Sequence, residues 1–243
     1  MLHTFGASLT APDGPRVHVY ERRPHHPFCQ VGAQQTISKA PQLTRRRVPG
    51  HDHAAIGFAL DAGASVVIPQ LETVEQAKHV VSAAKFGTQQ NGTRSAPPFR
   101  LVPGLTDQGA DGKRDVWQNV NDQAAIMVQI ESLEGINNLD AILTEVPDID
   151  VVWLGSLDCR ISMNLPANFG QGSEPEWLAA VDKFNATLKK HKKPRAGFCL
   201  AGGEELAKMG QDNVLLVHAA DVLKLSEMNP QLMAAREAVA LKK

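Results

Sequence analysis

Short apolar runs separated by amphipathic stretches of helical length recur from Leu43 to the end of the chain, and no other feature constrains the fold so strongly. Strands buried on both faces read as continuous apolar runs, and parallel neighbours need a crossover long enough to hold a helix. The pattern therefore predicts repeated strand–helix units and a parallel α/β sheet. Strands are expected at Leu43–Val48, Ser65–Pro69, Ala125–Ile130, Ile149–Leu154, Arg195–Leu200 and Val214–Val217. Helices are expected at His53–Ala62, Thr73–Lys85, Ile136–Leu143, Glu174–Lys190, Gly203–Lys208 and Pro230–Leu241. Thr73–Lys85 is the most strongly marked, because Thr73 and Gln76 form a capping-box pair ahead of the apolar stripe Ala77, Val80, Val81 and Ala84.

A closed barrel of such units needs eight strands. The remaining two have to come from the N-terminus, where Leu2–Ser8 and Val17–Tyr20 are the candidates. Ala11–Gln42 sustains neither the strand period nor the helix period. Residues 1–42 are thus expected to form a divergent N-terminal segment with weak first and second strands, and residues 43–243 the main domain.

Charge and composition narrow the function. Lys plus Arg number 25 against 26 Asp plus Glu, so the totals imply no surface for nucleic acid. No apolar run approaches the roughly 18 to 20 residues of a membrane span, and Met1–Ser8 lacks the features of a signal peptide. A cytoplasmic location away from membranes is the expectation. Cys29, Cys159 and Cys199 form no Cys-x-x-Cys pair and read as reduced structural residues. The stretch Gly87–Gln123 is long and rich in Gly and Pro, and is read as an active-site loop.

Two carboxylates stand where α/β proteins place their sites. Glu131 follows the strand ending at Ile130, and Asp158 follows the strand ending at Leu154 by one turn through Gly155. Such a pair suits a hard divalent ion that keeps waters and completes its shell with substrate oxygens. Spacing alone favours the plainer reading, in which each acid caps the helix that follows or pairs with a lysine. Arg47 ends the first strand, and an inward arginine there would clamp a carboxylate. Asp61 closes a helix, where an acid opposes the macrodipole and needs some other explanation. His25, His26, His51 and His53 lack the helical spacing of a zinc motif, and Gly202–Gly203 reads as a helix entry rather than a nucleotide fingerprint.

Taken in order, a set of short motifs resembles the HpcH/HpaI aldolase and citrate lyase beta-subunit family over roughly three quarters of the chain. The carriers begin with Arg47-Val-Pro-Gly50, Leu60-Asp-Ala-Gly-Ala64 and Val66-Val-Ile-Pro-Gln70. They continue with Glu75-Gln-Ala77, Ala84-Lys-Phe86, Gly92-Thr-Arg-Ser95, Val128-Gln-Ile-Glu131, Asn138-Leu-Asp-Ala-Ile142 and Asp150 through Asp158. The long loop is similar to that of a fungal, macrophomate-synthase-like branch.

The resemblance implies a (β/α)8 TIM barrel of the phosphoenolpyruvate/pyruvate-binding type. It also implies a divalent metal (Mg²⁺ first, with Mn²⁺ or Co²⁺ as alternatives) and a small 2-oxo acid such as pyruvate, oxaloacetate or an aldol adduct. The implied activity is that of a carbon–carbon lyase, either aldolase or oxo-acid decarboxylase, acting through a metal-bound pyruvate enolate. By the same resemblance Glu131 and Asp158 are the metal ligands, Arg47 stabilises the enolate oxygen, and Gln129 stands beside the site. Gly155 and Ser156 form the turn whose N–H groups hold the substrate carboxylate, and Asp61 partners a catalytic histidine. A homo-oligomer, a hexamer in this family, is implied as well. Arg22 stands where the family carries its histidine base, which weakens aldol cleavage more than decarboxylation. Two alternatives follow: an impaired barrel that binds metal and an oxo acid or a partner subunit, and a citrate-lyase-beta-like acyl-CoA lyase.

Overall fold

The structure is a computed structural model that describes residues 45–97, 115–123, 125–200, 202–218 and 220–240. The strands expected at Leu2–Ser8 and Val17–Tyr20, the boundary near Leu43, and Glu21, Arg22, His25, His26 and Cys29 lie outside the described residues.

Every strand expected from Leu43 onward is present, slightly shortened: β1 Arg45–Arg47, β2 Ser65–Ile68, β3 Ile126–Ile130, β4 Val151–Leu154, β5 Arg195–Phe198 and β6 Leu215–Val217. They form one parallel sheet in the order β1-β2-β3-β4-β5-β6. The order is informative because doubly wound sheets reverse at a switch point and cover both faces with helices. Here no reversal occurs among the described strands. Right-handed crossovers then all fall on one side, which is the winding of part of a (β/α) barrel.

The helices are α1 His53–Asp61, α2 Val74–Ala84, α3 Val116–Gln123, α4 Leu133–Glu145, α5 Ser156–Ser162, α6 Pro175–His191, α7 Gly203–Asp212, α8 Asp221–Ser226 and α9 Asn229–Ala240. The capping box of α2 forms as expected, with the Gln76 N–H donating to Thr73 Oγ1 at 3.2 Å and the Thr73 N–H to Gln76 Oε1 at 3.1 Å. Three helices depart from the sequence reading. α5 is a single short piece whose buried residues are Cys159 and Arg160, too brief to show a stripe. α8 is shorter still. α3 corrects the reading of Gly87–Gln123 as loop throughout, for its Asn121 side chain clasps the Phe86 backbone by accepting from the N–H at 2.7 Å and donating to the carbonyl at 2.8 Å.

Strand alternation divides the apolar residues between two faces. Val66, Ile68, Ile126, Val128, Ile130 and Val152 pack outward against Ile56, Val80, Leu139 and Phe184 from the helices. Val67, Met127, Val151, Trp153, Ala196, Leu215 and Val217 form a second cluster on the opposite face. Each fully buried side chain of this size contributes roughly 1.5–3 kcal/mol. The continuous runs of β3 and β4 follow from burial on both faces. Among the described residues no helix is long and apolar enough to cross a membrane.

Candidate active site

The carboxyl ends of β1, β3 and β4 converge on a cavity of about 360 Å³. The sheet ladder continues past the strands, with the Leu71 N–H donating to Gln129 O at 3.0 Å and the Gly155 N–H to Ile130 O at 2.9 Å. Those two bonds fix the start of each loop, so the residues beside them are held by backbone rather than by loop packing.

Glu131 is the buried centre of this arrangement, 6% exposed. Its Oε2 accepts from the Gln70 N–H at 2.9 Å and lies 3.9 Å from Arg47 Nη2. Loss of water raises its carboxyl pKa, and the nearby Asp158 charge adds to that; the Gln70 N–H and Arg47 pull the other way. Arg47 in turn donates from Nε to Gln129 Oε1 at 3.0 Å. Because its oxygen is taken, Gln129 offers N–H donors to anything bound in the cavity. Asp158 sits in the first turn of α5 and lines the same cavity.

Gly155 has a steric reason to be glycine. A Cβ there would lie 2.5 Å from Glu131 Cγ and 2.7 Å from Oε1. Gly155→Ala is expected to push the Glu131 carboxylate aside and lower turnover by about 10²-fold, the usual consequence of a misplacement of order 1 Å. Circular dichroism should show the fold retained, and a variant of wild-type activity would contradict this role.

A donor set of two carboxylates matches a hard divalent cation, and a cation would offset the desolvated charge of Glu131. Among the described residues no cluster of three or more His, Cys, Asp or Glu side chains surrounds them.

Comparison with known proteins places this geometry. The family model for HpcH/HpaI aldolase/citrate lyase matches residues 6–219. The chain belongs to the HpcH/HpaI aldolase/citrate lyase family. It is 32% identical over 197 residues to the 2-keto-3-deoxy-L-rhamnonate aldolase of Salmonella typhi, covering 75% of this chain and 68% of the relative. Against the enzyme of that name from Escherichia coli O9:H4 (strain HS), identity is 32% over 203 residues, covering 77% and 70%. Among solved structures, macrophomate synthase superposes with a TM-score of 0.68 at 30% identity, covering 84% of this chain and 69% of that one. A family protein from Burkholderia cenocepacia J2315 gives 0.60 at 26% identity, covering 79% and 73%.

Of the residues singled out in the sequence, Arg47, Gln129, Glu131, Gly155, Ser156 and Asp158 all line this cavity of the HpcH/HpaI chain. Asp61 does not. It ends α1 and accepts from Arg94 Nη2 at 2.5 Å, with the Arg94 guanidinium also 4.4 Å from the Phe86 ring centre. That cation answers why an acid stands at a helix C-terminus. His51 and His53 do not line the cavity either: His51 Nε2 bonds Pro69 O at 2.8 Å, and His53 Nε2 bonds Thr93 O at 3.1 Å. The turn at Gly155 also differs from expectation in one respect, since its N–H is engaged by Ile130 and only Ser156, opening α5, begins a helix with uncommitted donors by position.

The remaining walls are Val67, Trp153, Leu154, Leu157, Phe169 and Phe198. Strand alternation marks Val67 and Trp153, which share a sheet face with Arg47 and Gln129. Nothing in the sequence marks Phe169, which reaches the cavity from an irregular loop.

Proposed function

We propose that this chain is a divalent-metal-dependent carbon–carbon lyase acting on a small 2-oxo acid, with Glu131 and Asp158 as metal ligands. The observation that carries the reading is the meeting of these two carboxylates with the Gln129-braced Arg47 in one cavity. When bound, a cation such as Mg²⁺ would act as a Lewis acid on the keto and carboxylate oxygens of the substrate.

Arg47 sets a fixed positive charge where negative charge grows as the carbon–carbon bond breaks and its electron pair moves onto the keto oxygen. Gln129 holds that guanidinium in one orientation, so little reorganisation accompanies the reaction. Ser156, at the start of α5, presents its N–H to the substrate carboxylate. A substrate seated against the apolar walls would displace water from these groups and strengthen each of these interactions. Loss of CO₂ from a 3-oxo acid needs no base to remove a hydroxyl proton, whereas retro-aldol cleavage does. His51 and His53 are turned to backbone carbonyls, so the described residues favour decarboxylation.

The reading extends to a closed eight-stranded barrel, with residues 1–42 supplying the two further strands as a divergent segment ahead of the main domain. It extends to a homo-oligomer too. Val222, Leu225, Leu232 and Val239 on α8 and α9 are each more than half exposed, which supports a partner surface there.

Pyruvate release from oxaloacetate and from 4-hydroxy-2-oxo acids, followed with Mg²⁺, with Mn²⁺ and after chelation, tests the reading. Metal-dependent release, faster from oxaloacetate, is the expected result. Release that survives chelation unchanged would overturn it. Turnover of a CoA thioester in place of the free acid would reassign the substrate class.

A further inference from the structure

The loop between α5 and α6 is built in an unusual way. Asn168, Phe169 and Gly170 follow one another with φ of 40°, 50° and 81°. Left-handed backbone is costly for any residue with a Cβ, and a phenylalanine there is a rarity. Burial could offset such a cost, yet Phe169 is 76% exposed and lines the cavity.

The loop is fastened rather than loose. Arg160 on α5 is fully buried and reaches across its base, donating from Nε to Pro166 O at 2.8 Å and from both terminal nitrogens to the Glu174 carboxylate at 2.8 and 2.7 Å. One guanidinium therefore grips both ends of the segment that carries Phe169. The Trp177 ring lies 5.2 Å from it, and the Arg160 hydrogen bond holds the Glu174 carboxyl down at about 2. Two glycines make room. A Cβ on Gly172 would lie 1.9 Å from Arg160 Nη1, and one on Gly170 would lie 2.1 Å from Ser156 Oγ.

We propose that Phe169 is a specificity-determining residue, presented by the Arg160–Glu174 clasp, that selects an apolar or aromatic group on the far half of the 2-oxo acid. The proposal rests on the lyase reading above for the near half of the substrate. The polar groups Arg47, Gln129 and Glu131 are mutual neighbours and serve the oxo-acid end. Among the described lining residues, the side chains of Phe169, Leu157 and Phe198 form an apolar stretch that offers the remainder no donor or charge with which to recognise hydroxyl groups. A polyhydroxylated tail placed there would lose its water without compensation, while a phenyl or alkyl tail gains by leaving water.

Calorimetric titration of the full chain in Mg²⁺ compares pyruvate, 4-phenyl-2-oxobutanoate and a polyhydroxylated 3-deoxy-2-oxo acid, none of which has to turn over. The wild type is expected to prefer the phenyl acid to the polyhydroxylated one by about tenfold or more. Phe169→Gly should abolish that ratio while leaving the melting temperature equal or higher, since glycine relieves the left-handed strain. A residue of merely structural role would lose stability instead. Phe169→Tyr should keep the ratio, and Glu174→Gln, which loosens the clasp, should reduce it. A ratio unchanged in Phe169→Gly, or a wild type that prefers the polyhydroxylated acid, overturns the proposal. Selective binding in a wild type that releases no pyruvate from any substrate would sink the lyase reading alone.

Discussion

Glu131→Gln is expected to lower pyruvate release by about 10³-fold while raising the melting temperature of the metal-free chain, opposite effects from one substitution. The loss of activity follows from removing an anionic oxygen from the proposed cation site, where Lewis-acid stabilisation is worth several kcal/mol, roughly 4 for a 10³-fold effect. The gain in stability follows from burial. Glu131 is 6% exposed, and desolvation raises its pKa above the ordinary 4.5. Well below 4.5 the folded and unfolded chains are both protonated here, and the residue imposes no charge penalty. As pH climbs through 4.5 and on through the raised folded value, the unfolded chain ionises more readily, and stability falls across that window. Scanning calorimetry from about pH 4 to 7 should show this decline in the wild type and a shallower one in Glu131→Gln. Added Mg²⁺ should restore the wild type and leave the variant unmoved. Parallel curves for the two proteins, with or without metal, would contradict the assignment.

Arg47→Lys keeps the charge and should still cost about 10²-fold in kcat, with KM changed far less. Lysine has no Nε–H to donate to Gln129 Oε1, the bond that orients the guanidinium at 3.0 Å. A mobile ammonium at that place supplies charge without direction, and transition-state stabilisation depends on direction. Arg47→Ala, which removes the charge as well, should fall by about 10²–10³-fold. Steady-state kinetics on oxaloacetate separate the two contributions. A lysine variant with wild-type kcat would show that bulk positive charge suffices, and that the Gln129 brace has no catalytic role.

These expectations draw unequally on sequence and fold. Glu131 and Asp158 were legible as a pair because each follows an apolar strand, and parallel strands deliver their carboxyl ends to one edge. Arg47 was legible for the same reason. The reason for Gly155 was not. Its glycine is required by the Glu131 side chain across the neighbouring strand, a clash that depends on the offset between β3 and β4. Asp61 was misleading in isolation, since its partner Arg94 lies 33 residues on, beyond any local pattern.

Local periodicity records two things, the hydrogen-bonding habit of the backbone and which side of an element faces apolar surroundings. From those the described strands and most of the described helices could be read directly, along with the residues at each strand's end, whereas the one-directional winding shows only in the strand order. Distances, burial and orientation belong to another level. Arg47 meets Gln129 across 82 residues through strand register, and Phe169 reaches the cavity because a buried arginine grips both ends of an irregular loop. Such contacts arise only after helices pack and strands align, and no short window of residues contains them.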